Sequence, residues 1–278
     1  MTSRAIILGG GGLTGIAWEV GLLNGLAEAG VDLANADAII GTSAGAFAGA
    51  YLAAGQLAES FDRQFSDEVV EIPASMAAGT IEAWSAAIAA GAGDPQGTAR
   101  ALGKVALSAT TVTAEARARV VESRLAGLKW PGSRLQMTAI DAETGELHLL
   151  NSSSGIPLAT AAAASGAVPG LWPVVEANGR YWIDGGSVSP VNAMLGEGYE
   201  AVLIIAPAPD GMSGMRALAD DVAHLRETGS VVTVLIPDLE AKEAIGDNPF
   251  DPGRRATVAE AGRRQGQRAA ADVKAAWN

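Results

Sequence analysis

The chain has 278 residues, of which 49% are hydrophobic and 18% charged, with 35 glycines and a net charge of −12. That is enough chain to bury one large core, and so acidic a balance makes the chain a poor candidate for electrostatic binding to nucleic acid or anionic lipid. The sequence contains no cysteine, which rules out disulfides, thiolate metal sites and cysteine nucleophiles, and its two histidines, His148 and His224, leave no material for a His-rich metal centre.

Met1 to Gly12 lacks the long apolar core of a secretory signal. Arg4 to Leu8 reads as a short buried strand running into glycines, and Gly15 to Ala29 as a helix capped by Gly30. Ala38 to Ile40 is a second strand, followed directly by a small-residue helix, Ala44 to Ala54. Two strand–glycine–helix units in succession predict an α/β sheet. From Leu57 to Leu128 the pattern is helical throughout, with no strand signal, and predicts a helical cap of about 57–128 inserted into a single domain. Within it, Ile72 to Gly93 is Ala-rich and nearly uncharged. Met76 and Trp84 there suit either ordinary helical core or the lining of an acyl pocket.

Strands resume at Leu135 to Ile140 and Glu146 to Leu150, joined by the turn residues Ala142 to Gly145. Pro157 to Ala164 is a short helix. Val174 to Ala177 and Arg180 to Ile183 flank Asn178-Gly179, a hairpin signal. Gly155 to Val175 carries no charge, but Pro157, Pro169 and Pro173 argue against a membrane span. Ala201 to Ile205 and Val231 to Ile236 read as buried central strands. Arg254 to Trp277 reads as an amphipathic helix, with Arg254, Arg255, Arg263, Arg264 and Arg268 as a solvated face. A soluble cytoplasmic protein is the expectation, and any membrane or micelle contact would be apolar and transient.

Three motifs carry chemistry. Gly41-Thr42-Ser43-Ala44-Gly45 is a G-x-S-x-G between a strand and a helix, the context in which a serine hydroxyl is lifted clear of a sheet. The plainer alternative is a glycine-rich turn with a serine cap. Gly9 to Gly12, with Gly15, follows the first strand. Consecutive glycines leave backbone N–H groups free to face a developing oxyanion. The same loop matches G-x-G-x-x-G, but Asp32 and Asp37 precede the second strand instead of ending it, which argues against a dinucleotide site. Asp184-Gly185-Gly186 ends a strand and on its own would be a turn. Neither histidine sits on a loop at a strand end, and only two strands precede Ser43, so a Ser–His–Asp hydrolase does not fit. A carboxylate must then take the serine proton, and Asp184 is the best-placed candidate.

In this order, the glycine loop, the G-x-S-x-G and the Asp-Gly-Gly resemble the patatin-like phospholipases. The segment from Ala164 to Val174, with Ser165, Pro169 and Pro173, agrees with that resemblance. The resemblance implies a three-layer α/β/α sandwich and a Ser43–Asp184 dyad acting without histidine. It implies an oxyanion hole from the N–H groups of Gly10, Gly11 and Gly12, with Gly15, Gly41, Gly45, Gly185 and Gly186 as motif glycines. The implied reaction is hydrolysis of lipid acyl esters with no cofactor and no metal. Transfer to another acceptor, thioester hydrolysis, or an idle lipid-binding protein on the same fold are the alternatives. Two residues depart from the family pattern. Thr14 stands where the family often has Arg or Lys, and Ser189-Pro190-Val191-Asn192 replaces an Asn before Pro.

Overall fold

The computed structural model describes residues 2–91, 93–212 and 215–277. In chain order the elements are β1 (Arg4–Leu8), α1 (Gly12–Glu28), β2 (Ala38–Gly41), α2 (Ala44–Ala54), α3 (Leu57–Asp62), α4 (Ala78–Ala90), α5 (Pro95–Ser108) and α6 (Ala114–Leu125). They continue with β3 (Leu135–Asp141), β4 (Leu147–Leu150), α7 (Leu158–Ser165), β5 (Val175–Ala177) and β6 (Arg180–Asp184). The chain closes with β7 (Ala201–Ile205), α8 (Leu218–Glu227), β8 (Val231–Leu235), α9 (Leu239–Ile245) and α10 (Arg255–Trp277). The eight strands form one mixed sheet in the order β5-β6-β3-β2-β1-β7-β8, with β4 on β3. Helices cover both faces, so the fold is the expected α/β/α sandwich.

Strand alternation assigns the layers. Ile6, Leu8, Ile39, Leu135, Met137 and Ala139 point to one face, where α1, α2, α7 and α10 bury them. Ala5, Ile7, Ala38, Ile40, Val202 and Ile204 point to the other, toward α8. Ile140 and Ile183 pack under Trp84 of α4 and Leu102 of α5, on the same face as α8. The segment 57–128 is therefore shared out: α4 and α5 lie over one sheet face, while α6 packs beside α7. It is not helical throughout, because residues 66–77 are irregular apart from turns.

The register of β3 explains how the site is assembled. Residues 135–137 of β3 pair with β2, residues 139–141 with β6, and residues 137–140 with β4. Since β4 overlaps both of the others, β2 and β6 must share the opposite edge of β3, end to end. β2 is parallel to β3 and β6 antiparallel, so their carboxyl ends meet. The turn after Gly41 and the residue ending β6, Asp184, are thereby brought side by side, although Ser43 and Asp184 are 141 positions apart in sequence.

Helices α1 and α10 pack backbone to backbone. A β-carbon on Gly262 would stand 2.4 Å from Trp18 O, and one on Gly266 2.2 Å from Leu22 O. Trp18 Nε1 donates to Gln265 Oε1 at 2.9 Å across the same contact. The tail helix is thus a core element, and its arginines are not simply a solvated face. Arg255 is buried and donates to Arg63 O, Arg263 pairs with Glu28, and Arg268 with Asp238. A second correction concerns β8. It is the edge of the sheet, not a central strand, and Val231 is 55% exposed.

Candidate active site

Ser43 sits in the turn between β2 and α2 with φ 53 and ψ −107, a conformation that side chains rarely adopt. The turn is this tight because its glycines let backbone pass against backbone. A β-carbon on Gly41 would lie 2.4 Å from Gly45 O, and one on Gly45 only 2.2 Å from Leu8 O. Gly45 N donates to Gly9 O, and Thr42 N to Leu8 O, so the elbow is stitched to the end of β1. Ser43 N donates to Ser165 Oγ at 2.9 Å. The hydroxyl is left facing a groove.

Asp184 ends β6 and is 4% exposed. Its Oδ1 accepts from Gly186 N at 2.7 Å. Burial pushes its pKa up to about 6, against the opposing pull of the Ser43 hydroxyl, the Gly186 N–H and the Arg117 charge. The hydroxyl acts on the carboxylate without closing a short hydrogen bond to it. A network missed by sequence reasoning fastens the two turns together. Asn192 Nδ2 donates to Thr42 Oγ1 at 3.1 Å and to Gly185 O at 2.9 Å, and Thr138 Oγ1 donates to Thr42 Oγ1 at 3.0 Å. The signal was present in the Ser189–Asn192 stretch, but an Asn with φ 53 cannot be told from a loop Asn without the fold.

The glycine loop lies across the same groove, and it corrects one expectation. Gly10 N donates to Pro190 O at 2.7 Å, so that N–H is committed within the protein and is not free for an oxyanion. Among the described residues, Gly11 and Gly12 N–H donate to no protein acceptor, at the amino end of α1 where intrahelical partners are lacking. Gly15 N donates back to Gly11 O. Thr14 turns inward, its N–H and hydroxyl both on Pro249 O.

The groove holds about 330 Å³ and brings together Gly10, Gly11, Gly12, Ser43, Asp184 and Gly186. Its walls are apolar: Met76, Trp84, Val168, Met212, Met215 and Phe250. Met76 and Trp84 thus line it, and Trp84 is held by a bond from Nε1 to Pro169 O at 2.9 Å. The histidines lie elsewhere. His224 contacts Glu197, and His148 lies edge-on to Trp182. Among the described residues no cluster of three or more His, Asp or Glu side chains is placed to hold a metal ion.

The patatin-like phospholipase family model matches residues 6–195, which include every motif residue of the groove. The chain belongs to the patatin-like phospholipase family. A search of solved structures finds VipD from Legionella pneumophila, with a TM-score of 0.51 and 14% sequence identity over 98% of this chain and 67% of that one. At that identity the likeness is one of fold. No curated protein sequence matches the chain. Among the described residues no helix is long and apolar enough to cross a membrane.

Proposed function

We propose that this member of the family is a serine acyl hydrolase that cleaves lipid acyl esters, with Ser43 as nucleophile and Asp184 as its base. The observation that carries the reading is the meeting, in one apolar groove, of a strained serine elbow, a buried carboxylate with a raised pKa and two unpaired backbone N–H groups. Family membership supports the reaction class.

Asp184 accepts the proton as Ser43 Oγ bonds to the ester carbonyl carbon. The carbonyl oxygen becomes an oxyanion, held by the N–H groups of Gly11 and Gly12 at the positive end of α1. Collapse breaks the bond to the alcohol oxygen, which takes the proton from Asp184, and leaves acyl-Ser43. Water then gives a proton to Asp184 and attacks the acyl carbon. The fatty acid departs and the proton returns to Ser43. A carboxylate with a pKa near 6 is a better base than a free one and is still ionised at neutral pH. The alkyl and aromatic walls take the acyl chain. The absence of cysteine suits a cytoplasmic setting.

The test is hydrolysis of p-nitrophenyl esters across a chain-length series. The groove predicts a medium-chain optimum that shortens when Met76 or Val168 is replaced by Phe. A flat profile unaffected by either change would refute the assignment of the acyl chain to this groove.

A further inference from the structure

The glycine loop carries no cation, but a buried arginine stands beside Ser43 from an unexpected direction. Arg117 lies on α6 and is 5% exposed. Its guanidinium stacks on Trp172, 4.1 Å from the ring centroid. Among the described residues its Nε and Nη1 donate to no protein acceptor. A β-carbon placed on Gly166 would be 3.8 Å from Arg117 Nη2 and 3.8 Å from Ser43 Oγ, so the two groups are within twice that distance of each other. Both line a narrow cleft of about 20 Å³ beside the nucleophile, walled by Phe47, Trp172 and Phe250.

Burying a guanidinium without a carboxylate partner is expensive. Burial, with Arg124 nearby, pushes the Arg117 pKa down to about 9, while Glu71 and Asp184 draw it up. Arg117 is thus cationic at neutral pH. The three charged groups that act on it are otherwise engaged: Arg124 is paired with Glu71 at 2.6 Å, and Asp184 accepts from Gly186. Arg117 Nε and Nη1 thus remain unpaired among the described residues, and a guanidinium offers a planar fork suited to a phosphate or carboxylate.

We infer that Arg117 is a specificity-determining residue that binds an anionic group of the substrate, a phosphate or carboxylate carried on the alcohol side of the scissile ester. The inference rests on the acyl-hydrolase reading of Ser43. It accounts for how a chain with net charge −12 admits an anionic substrate: the recognition is local and desolvated, where a single charge counts most.

The experiment uses the full chain and three octanoyl esters that differ only in the alcohol: glycerol, glycerol phosphate and lactate. Wild type, Arg117→Gln and Arg117→Lys are compared. Wild type should favour the charged esters. Arg117→Gln should lower the ratio of kcat/KM on the charged esters to that on the neutral ester by on the order of 10- to 100-fold, mainly through KM. Arg117→Lys should recover part of the loss. Loss confined to the phosphate ester or to the lactate ester identifies which anion is recognised. Equal loss on all three esters, or a mere shift in the pH profile without loss of anion preference, would overturn the inference. Should the variants fail to fold, dibutyl phosphate is titrated against fluorophosphonate labelling of wild-type Ser43. Saturable protection supports the site, and labelling unaffected by dibutyl phosphate sinks it. Wild type that labels at Ser43 but shows no anion preference defeats only the Arg117 proposal, whereas wild type that neither labels nor hydrolyses defeats the underlying hydrolase reading.

Discussion

Replacing Asp184 with Asn should destroy activity and at the same time stabilise the protein. The carboxyl is buried, and its pKa rises from the ordinary 3.8 to about 6. Ionising it in the folded state is thus harder than in the unfolded chain by about 2 pH units, close to 3 kcal/mol. The sign follows directly. At pH 8 both states carry the ionised form, and only the folded state bears the cost of burying it. Below pH 3.8 both are protonated and the cost disappears. Asn keeps the acceptor for Gly186 N and carries no charge. Allowing for imperfect packing of the amide, Asp184→Asn should gain about 2 kcal/mol at pH 8, a rise in Tm of roughly 4–8 °C. The gain should shrink as pH falls through 6 and be gone near pH 4. Thermal or urea unfolding of the two proteins at matched pH values measures it, and other titrating groups cancel in the difference. A variant less stable than wild type at pH 8, or a gain that does not vary with pH, would refute the argument that burial sets the state of this carboxyl.

Other consequences are more local. If Asp184 must be ionised to act as base, kcat/KM on a neutral ester should fall tenfold per pH unit below about 6 and be level above it, as a pH–rate profile would show. The φ of 53 at Ser43 is strained for a side chain, so Ser43→Gly should unfold at a higher denaturant concentration than Ser43→Ala, by about 1 kcal/mol, although both should be inactive. Gly266→Ala drives a methyl into Leu22 O and should destabilise the α1–α10 contact by roughly 1–3 kcal/mol in urea unfolding, with Gly79→Ala, which meets nothing and needs no positive φ, as an uncrowded comparison.

Most of the strands and helices could be read from periodicity and turn chemistry, because their signals are local. The Asn178-Gly179 turn has both residues at positive φ, as the dipeptide predicts, and β7 and α2 have the expected bounds. What could not be read was set by long-range packing. The spacing of Ile16, Val20, Leu23 and Ala27 predicts one buried face for the first helix. In the structure Leu13 to Leu26 are all buried, because α10 covers the side that would otherwise face water. Glu19 is caught inside, and burial pushes its carboxyl well above the usual range. Likewise β8 looks like a central strand by composition and is an edge only because no later strand joins it.

The groove divides the same way. Ser43, Asp184 and the glycines were visible as motifs, since each needs a particular residue at a turn. Their meeting depends on the end-to-end arrangement of β2 and β6 along β3, which no local pattern encodes. By sequence Gly10 is equivalent to Gly11 and Gly12, and in the fold Pro190 O occupies its N–H. Arg117 and Asn192 were beyond reach for the same reason. An arginine on an amphipathic helix reads as solvent-facing, and the approach of Trp172 and Gly166 buries it beside Ser43.

The most direct test of the Ser43–Asp184 account is site-resolved labelling by a fluorophosphonate probe, read by peptide mass spectrometry alongside ester hydrolysis in wild type, Ser43→Ala and Asp184→Asn. The account predicts a single adduct on Ser43 in wild type, none in Ser43→Ala, and both slow labelling and collapsed turnover in a well-folded Asp184→Asn. An adduct on a different serine, or full activity in Ser43→Ala, would contradict it.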